Sequence, residues 1–287
     1  MNIPAGIRTL SNGLFREEAE KALEANSYHS GFYFTPSVRN DSLYAMKDAK
    51  NPQSSSTFQG LTNTVSLFIE IRGIGLGRAC FARRAECGFL VSRSLLETAA
   101  LHSKEVRSEI RKAVKETCSG KSDISVTFQS ARTELPVTFI DLAKNERFTE
   151  PLPTFDALQL KDELVRKRPK AYILPNTCRM QAEKLRALGI EVEEIGKTFT
   201  ATVEKYIVTG YKKVTKEWEK IYPVTVSTRT VKEKKSFPAG CFIIRLSQKN
   251  ANLATTLLEP ESVNGFVNFE VVHTEFGKEL PIYRKGF

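Results

Sequence analysis

The groups most able to do chemistry in this 287-residue chain cluster in Ser66-Leu67-Phe68-Ile69-Glu70-Ile71-Arg72-Gly73. Thr64 to Arg72 is rich in β-branched and aromatic residues and reads as a buried strand. Successive side chains of a strand point to opposite faces, so Phe68, Glu70 and Arg72 share one face and Leu67, Ile69 and Ile71 the other. A carboxylate in the middle of such a strand is costly unless it is paired or functional. Glu70 also sits just before Gly73-Ile74-Gly75-Leu76-Gly77, and in open α/β sheets the ligand crevice lies at the carboxyl ends of the strands. A partly desolvated glutamate there suits a general base working near neutrality. The competing reading makes Glu70 and Arg72, two apart on one face, a structural ion pair.

The other candidates fall away on spacing. Three glycines between a strand and a helix invite a dinucleotide-binding reading. The fingerprint G-x-G-x-x-G/A, however, finds Arg78 in its last place, or Cys80 when the frame starts at Gly75. A tight turn explains the run better. The cysteines (Cys80, Cys87, Cys118, Cys178 and Cys241) are odd in number and show no Cys-x-x-Cys, which argues against a disulfide framework and a zinc knuckle. His29, His102 and His273 stand apart, so no local three-ligand metal site can be drawn and no metal is expected on this chain alone. Lys and Arg total 43 against 33 Asp and Glu, a net of +10. The basic residues are scattered, and the brief cluster Arg166, Lys167, Arg168, Lys170 has little aromatic interleaving, which argues against a nucleic-acid partner. No apolar run reaches the ~20 residues that cross a bilayer. No signal peptide is visible at Met1 to Gly6, and the compartment stays unassigned.

The elements that must position Glu70 can be read in outline. Arg16 to Ala25 predicts a short helix, and Asn51 to Thr57 a polar loop at a surface or pocket rim. After the glycines, Phe81, Ala85, Phe89, Leu95, Leu96 and Ala99 recur at helical steps, and a second helix spans Lys104 to Thr117. Strand, glycine turn and long helix make half of an α/β unit. Past Gly120 the texture becomes β-rich: strands are expected over 124–128, 137–140, 171–174, 190–195, 203–208, 224–231 and 241–246. A helix opens after Pro175 and stops at Gly189. The chain therefore reads as an α/β part over 1–120 and a β-rich α+β domain over 121–287.

Ser66 to Arg78, with Phe81 and Arg83-Arg84, resembles the closing segment of the catalytic domain of zinc carboxypeptidases of the carboxypeptidase A type, in their bacterial members. Gly60-Leu61-Thr62-Asn63 fits the lead-in. Arg168-Pro169-Lys170-Ala171-Tyr172-Ile173-Leu174-Pro175, Pro238-Ala239-Gly240 and Leu257-Leu258-Glu259-Pro260-Glu261-Ser262 resemble the C-terminal extension of those proteins. The resemblance implies hydrolysis of a peptide or amide bond near a free carboxylate. It implies a zinc ion in the complete enzyme, Glu70 as the base and Arg72 as its orienting or balancing neighbour. It also implies a departure, because no histidine upstream of Glu70 has a glutamate three places later. The chain is accordingly expected to be the C-terminal part of such an enzyme, with an N-terminal catalytic half as partner and little activity alone. The alternative is a non-catalytic binding module derived from the same fold.

Overall fold

The computed structural model describes residues 1–48, 51–218 and 220–286. The chain opens with a continuous helical run: α1 (Ala5–Thr9), a π-helical turn over Leu10–Phe15, and α2 (Arg16–Glu24). Ile7, Leu10, Phe15 and Ala19 form its buried stripe. A hairpin follows, β1 (Phe34–Arg39) and β2 (Ser42–Lys47). Its two-residue turn places Asn40 and Asp41 at φ 49 and 58, the left-handed conformation these residue types tolerate. Phe32, just before the hairpin, is held between the Arg16 guanidinium at 4.3 Å and the Lys47 ammonium at 4.2 Å from its ring centroid, which ties the helix to the sheet.

Helix α3 (Ser55–Leu61) stands partly where a polar loop is expected, and its Ser56 and Thr57 line a small cavity under the N-terminal helix. After a 3-10 turn over Ile74–Cys80 come α4 (Phe81–Leu101) and α5 (Ser103–Ser119). Gly120 ends α5 at φ 64, where a residue with a Cβ would be strained.

Two long strands, β3 (Ile124–Asp141) and β4 (Glu146–Arg166), form an antiparallel arm in which the two short strands expected over 124–128 and 137–140 are one. The sheet order is β1-β2-β4-β3, so hairpin and arm lie in one sheet although Gly120 separates them in sequence. β2 and β4 run parallel over only Ala45–Lys47 against Thr154–Asp156. Proline explains the short ladder. Pro136 stands opposite Pro151, and neither has an N–H, so the arm's strands exchange no bonds at that pair and both turn donor-free edges outward. Pro153 likewise has no N–H to extend the parallel ladder.

The remainder folds as one antiparallel sheet of β5 (Ala171–Leu174), β6 (Glu193–Ile195), β7 (Phe199–Lys213), β8 (Val224–Phe237), β9 (Cys241–Arg245) and β10 (Glu279–Lys285). Their order is β6-β9-β5-β10-β7-β8. Helix α6 (Arg179–Ala187) and helix α7 (Ala251–Leu258) join one face of it in the main core, where Tyr172, Leu174, Leu185, Tyr206, Phe242 and Ile244 are fully buried. Every residue of α7 is buried, which makes it a core helix instead of an amphipathic one. Ile173, Val203, Phe237 and Tyr283 form a smaller apolar cluster on the other face. The chain thus mixes helices and sheets in the expected α/β manner. None of the helices is long and apolar enough to cross a membrane among the described residues.

One expectation is overturned. Thr64 to Arg72 is not a strand: the segment has no sheet partner among the described residues, and Phe68, Ile69, Glu70 and Arg72 are exposed. Its composition favours β structure, but a strand exists only where a neighbour takes its N–H and C=O groups. Hydrogen exchange on the chain alone is therefore expected to be fast over 65–71 and slowest in β5 and β10, at the centre of the large sheet. Strong protection of 65–71 in a monomeric sample would contradict this arrangement.

Candidate active-site segment

The exposed stretch around Glu70 is pinned at both ends. Upstream, the Ser66 N–H donates to Ser11 Oγ at 3.3 Å and Ser66 Oγ donates to the Ser56 carbonyl at 3.2 Å. Downstream, Arg83 Nη2 donates to the Arg72 carbonyl at 3.3 Å. Gly73 is buried at φ 128, and a Cβ there would lie 3.0 Å from Arg84 Cδ and 3.2 Å from Cys80 Cβ, so both conformation and space demand glycine. Ile71 reaches to 3.5 Å from where a Gly88 Cβ would stand, which seats the segment on α4. Between these anchors Phe68, Ile69 and Glu70 project outward. The partial burial expected of Glu70 is absent, and no ion pair joins Glu70 to Arg72 among the described residues.

Helix α4 carries apolar residues on two sides. Leu90, Val91, Ser94 and Thr98 face the protein. Phe81, Phe89 and Leu96, whose spacing marks the helix in the sequence, are exposed. Eight- and seven-residue steps put these three on one stripe, and Phe68, Ile69 and Leu76 are exposed as well. A helix apolar on both sides is normally covered on both.

Residues far apart in sequence converge elsewhere. Thr117 Oγ1 donates to Asn63 Oδ1 at 3.0 Å, Asn252 Nδ2 to Thr117 Oγ1 at 3.2 Å, and Arg168 Nη2 to Asn252 Oδ1 at 2.8 Å. This chain of bonds joins the Gly60-to-Asn63 motif to the motif that begins at Arg168. Beside it, buried Glu259 accepts from Tyr172 Oη at 2.5 Å and pairs with Arg166 at 2.8 Å, while Glu261 holds both Arg166 and Thr228. Arg284 bridges Glu204 at 2.8 Å and Glu259 at 3.5 Å. Burial and the adjacent Glu259 push the Tyr172 hydroxyl well above the usual tyrosine range, so it stays the donor. The cluster lies in the interior and organises the fold.

The chain is 28% identical over 285 residues to carboxypeptidase 2 of Trichophyton equinum, an alignment covering 99% of this chain and 53% of that protein. It is 27% identical over 285 residues to carboxypeptidase 2 of Trichophyton rubrum, with the same coverage. It is 28% identical over 263 residues to the probable carboxypeptidase 2 of Arthroderma benhamiae, covering 90% and 49%. These similarities support a carboxypeptidase family. The chain spans about half the length of the carboxypeptidases it matches. All three relatives are fungal, whereas the resemblance by motif is to bacterial members. No family model matches the chain, and no solved structure matches it.

The zinc ion that the resemblance implies can be tested against the residues present. Among the described residues no three His, Cys, Asp or Glu side chains lie close enough to hold a metal ion. His29 and His273 are exposed, and His102 Nδ1 lies 3.2 Å from the Glu105 carboxylate. The described side chains do not by themselves fit a zinc centre. Purified 1–287 is expected to hold well under one zinc per chain at neutral pH after dialysis. Elemental analysis returning about one tightly held zinc would contradict this, and His29 would be the first residue to replace.

Proposed function

We propose that this chain is part of a zinc-dependent carboxypeptidase that hydrolyses a peptide or amide bond near a free C-terminal carboxylate, with Glu70 as the general base. The observation that carries the reading is the similarity to carboxypeptidase 2 proteins over almost the whole chain. Glu70 accepts a proton from the attacking water and returns it to the leaving amine; Arg72, beside it in sequence, orients or balances the carboxylate. In this reading the zinc would be held by residues other than the described ones of this chain.

The exposed segment 64–72 and the apolar stripe of α4 support a divided site. Both present surface of the kind a sheet covers, and the relatives are about twice as long as this chain. Cover by a neighbouring strand would satisfy the backbone of 64–72, bury Phe68, Phe81, Phe89 and Leu96, and exclude bulk water from the reacting atoms.

The test is release of the C-terminal residue from an acetylated peptide by a protein of the relatives' length that contains this sequence. Release should stop with a metal chelator, return with added zinc, and be absent for the C-terminally amidated peptide. Equal cleavage of both peptides, or activity indifferent to the chelator, would sink the reading.

A further inference from the structure

The strongest unassigned feature is a groove of about 490 Å³ on one face of the four-stranded sheet. Strand alternation and register put Ser42 and Tyr44 of β2, Pro153 and Phe155 of β4, and Arg132 of β3 on that face, with Asn40 of the hairpin turn at one end. Tyr44 meets Phe155 edge to face with ring centroids 5.4 Å apart. The Arg132 guanidinium lies over the Phe155 ring, 5.7 Å from its centroid. Arg132 has no carboxylate partner among the described residues, and no acidic residue lines the groove. Glu134, two residues along on the same face, stays outside it.

An aromatic floor beside one unneutralised guanidinium selects a ligand with an apolar part and a single negative group. We infer that this groove binds a short extended peptide bearing a carboxylate, its apolar side chain on Tyr44 and Phe155 and its carboxylate on Arg132. The peptide class rests on the carboxypeptidase reading above; the charge and the apolar part rest on the groove itself. One guanidinium matches one carboxylate in a paired, charge-assisted contact. A nucleic acid would need several phosphates neutralised, and among the described residues Arg132 is the one cation that lines the groove, with Glu134 beside it in sequence. The net charge of +10 favours the approach of anions of either kind. The carboxylate could be the C-terminus or an acidic side chain, and the experiment separates the two.

Three acetylated tetrapeptides of alanine and phenylalanine serve as probes against 1–287: one with a free C-terminus, its amide, and an amide with aspartate replacing one alanine. Calorimetry gives the affinities, and amide NMR shifts locate the site. At least one carboxylate peptide should bind roughly tenfold or more tightly than the neutral amide, with shifts at 42–44, 132–133 and 153–155. Whichever peptide it is identifies the source of the carboxylate. Arg132→Met should abolish that preference, Arg132→Lys should keep part of it, and Tyr44→Ala should weaken all three. Three equal affinities unmoved by Arg132→Met would overturn the inference, as would tighter binding of an eight-residue oligothymidylate. Glu70→Gln should leave these affinities unchanged. A carboxypeptidase reading that fails on turnover would thus be told apart from a groove that fails on binding.

Discussion

Glu70→Gln is expected to lower turnover of the complete enzyme by ~10²–10⁴-fold, the usual cost of losing a general base. The amide keeps the shape of the side chain but cannot accept the proton of the attacking water. The substrate's KM should move far less than kcat, because the base acts mainly in the transition state. The exposure of Glu70 and its separation from Arg72 give this prediction a clean companion: thermal unfolding of Glu70→Gln should coincide with the parent's. Were the two residues a buried structural pair, loss of the charge would lower the melting temperature and leave the rate nearly intact. A variant that melts with the parent and turns over at the parental rate removes Glu70 from the chemistry altogether.

Glu259 presents the opposite case. Its side chain is fully buried between Arg166, Arg284 and Tyr172, and its two oxygens meet all three. Glu259→Ala leaves the buried Tyr172 hydroxyl without its acceptor and takes one of two carboxylates from each of Arg166 and Arg284, which keep Glu261 and Glu204. It is expected to destabilise the protein by about 1–3 kcal/mol, the cost of an unsatisfied buried polar group. Urea denaturation reads it as a large fall in midpoint at unchanged slope. Glu194, which pairs with Arg179 at 2.8 Å on the surface, is the control: Glu194→Ala should leave the curve nearly where it was. Equal effects at the two positions would mean that the interior cluster does not organise the fold as described.

How far the sequence could reach differs from element to element, for physical reasons. β5 was legible to the residue: Ala171-Tyr172-Ile173-Leu174 is a continuous apolar run between a lysine and a proline, as a strand buried on both faces should be. Helix α5 and the Gly189 stop after α6 were equally plain, the latter at φ 77. β1 and β4 were missed, and their prolines are the physical reason. Pro36, Pro151 and Pro153 are poor strand residues, yet Pro36 and Pro151 turn their donor-free side away from the bonds their strands make and Pro153 stands where the short β2 ladder ends. The segment at 64–72 failed in the other direction, since propensity is local and a strand's partner is not. The Glu259 cluster had no local signal at all. Arg166 lies 93 residues before Glu259, and nothing in spacing announces the pair; two glutamates closing the apolar run 251–258 were the one available hint. The groove residues were invisible for a similar reason: they come from three strands that only the register of the sheet brings together.

The bond from Asn63 Nδ2 to the Lys249 carbonyl, 2.8 Å long across 186 residues, sets a schedule for the ribosome. At about 5–20 residues per second, roughly 10–40 s pass between the synthesis of its two ends. Through that interval the helices up to α5 lack the partners that Asn252 and α7 later supply, while the stripe Phe81, Phe89, Leu96 is already displayed. The nascent chain is thus expected to engage holdase chaperones through that interval. Ribosome profiling of chaperone-bound chains should show engagement beginning once α4 has emerged and ending only after α7 has cleared the exit tunnel.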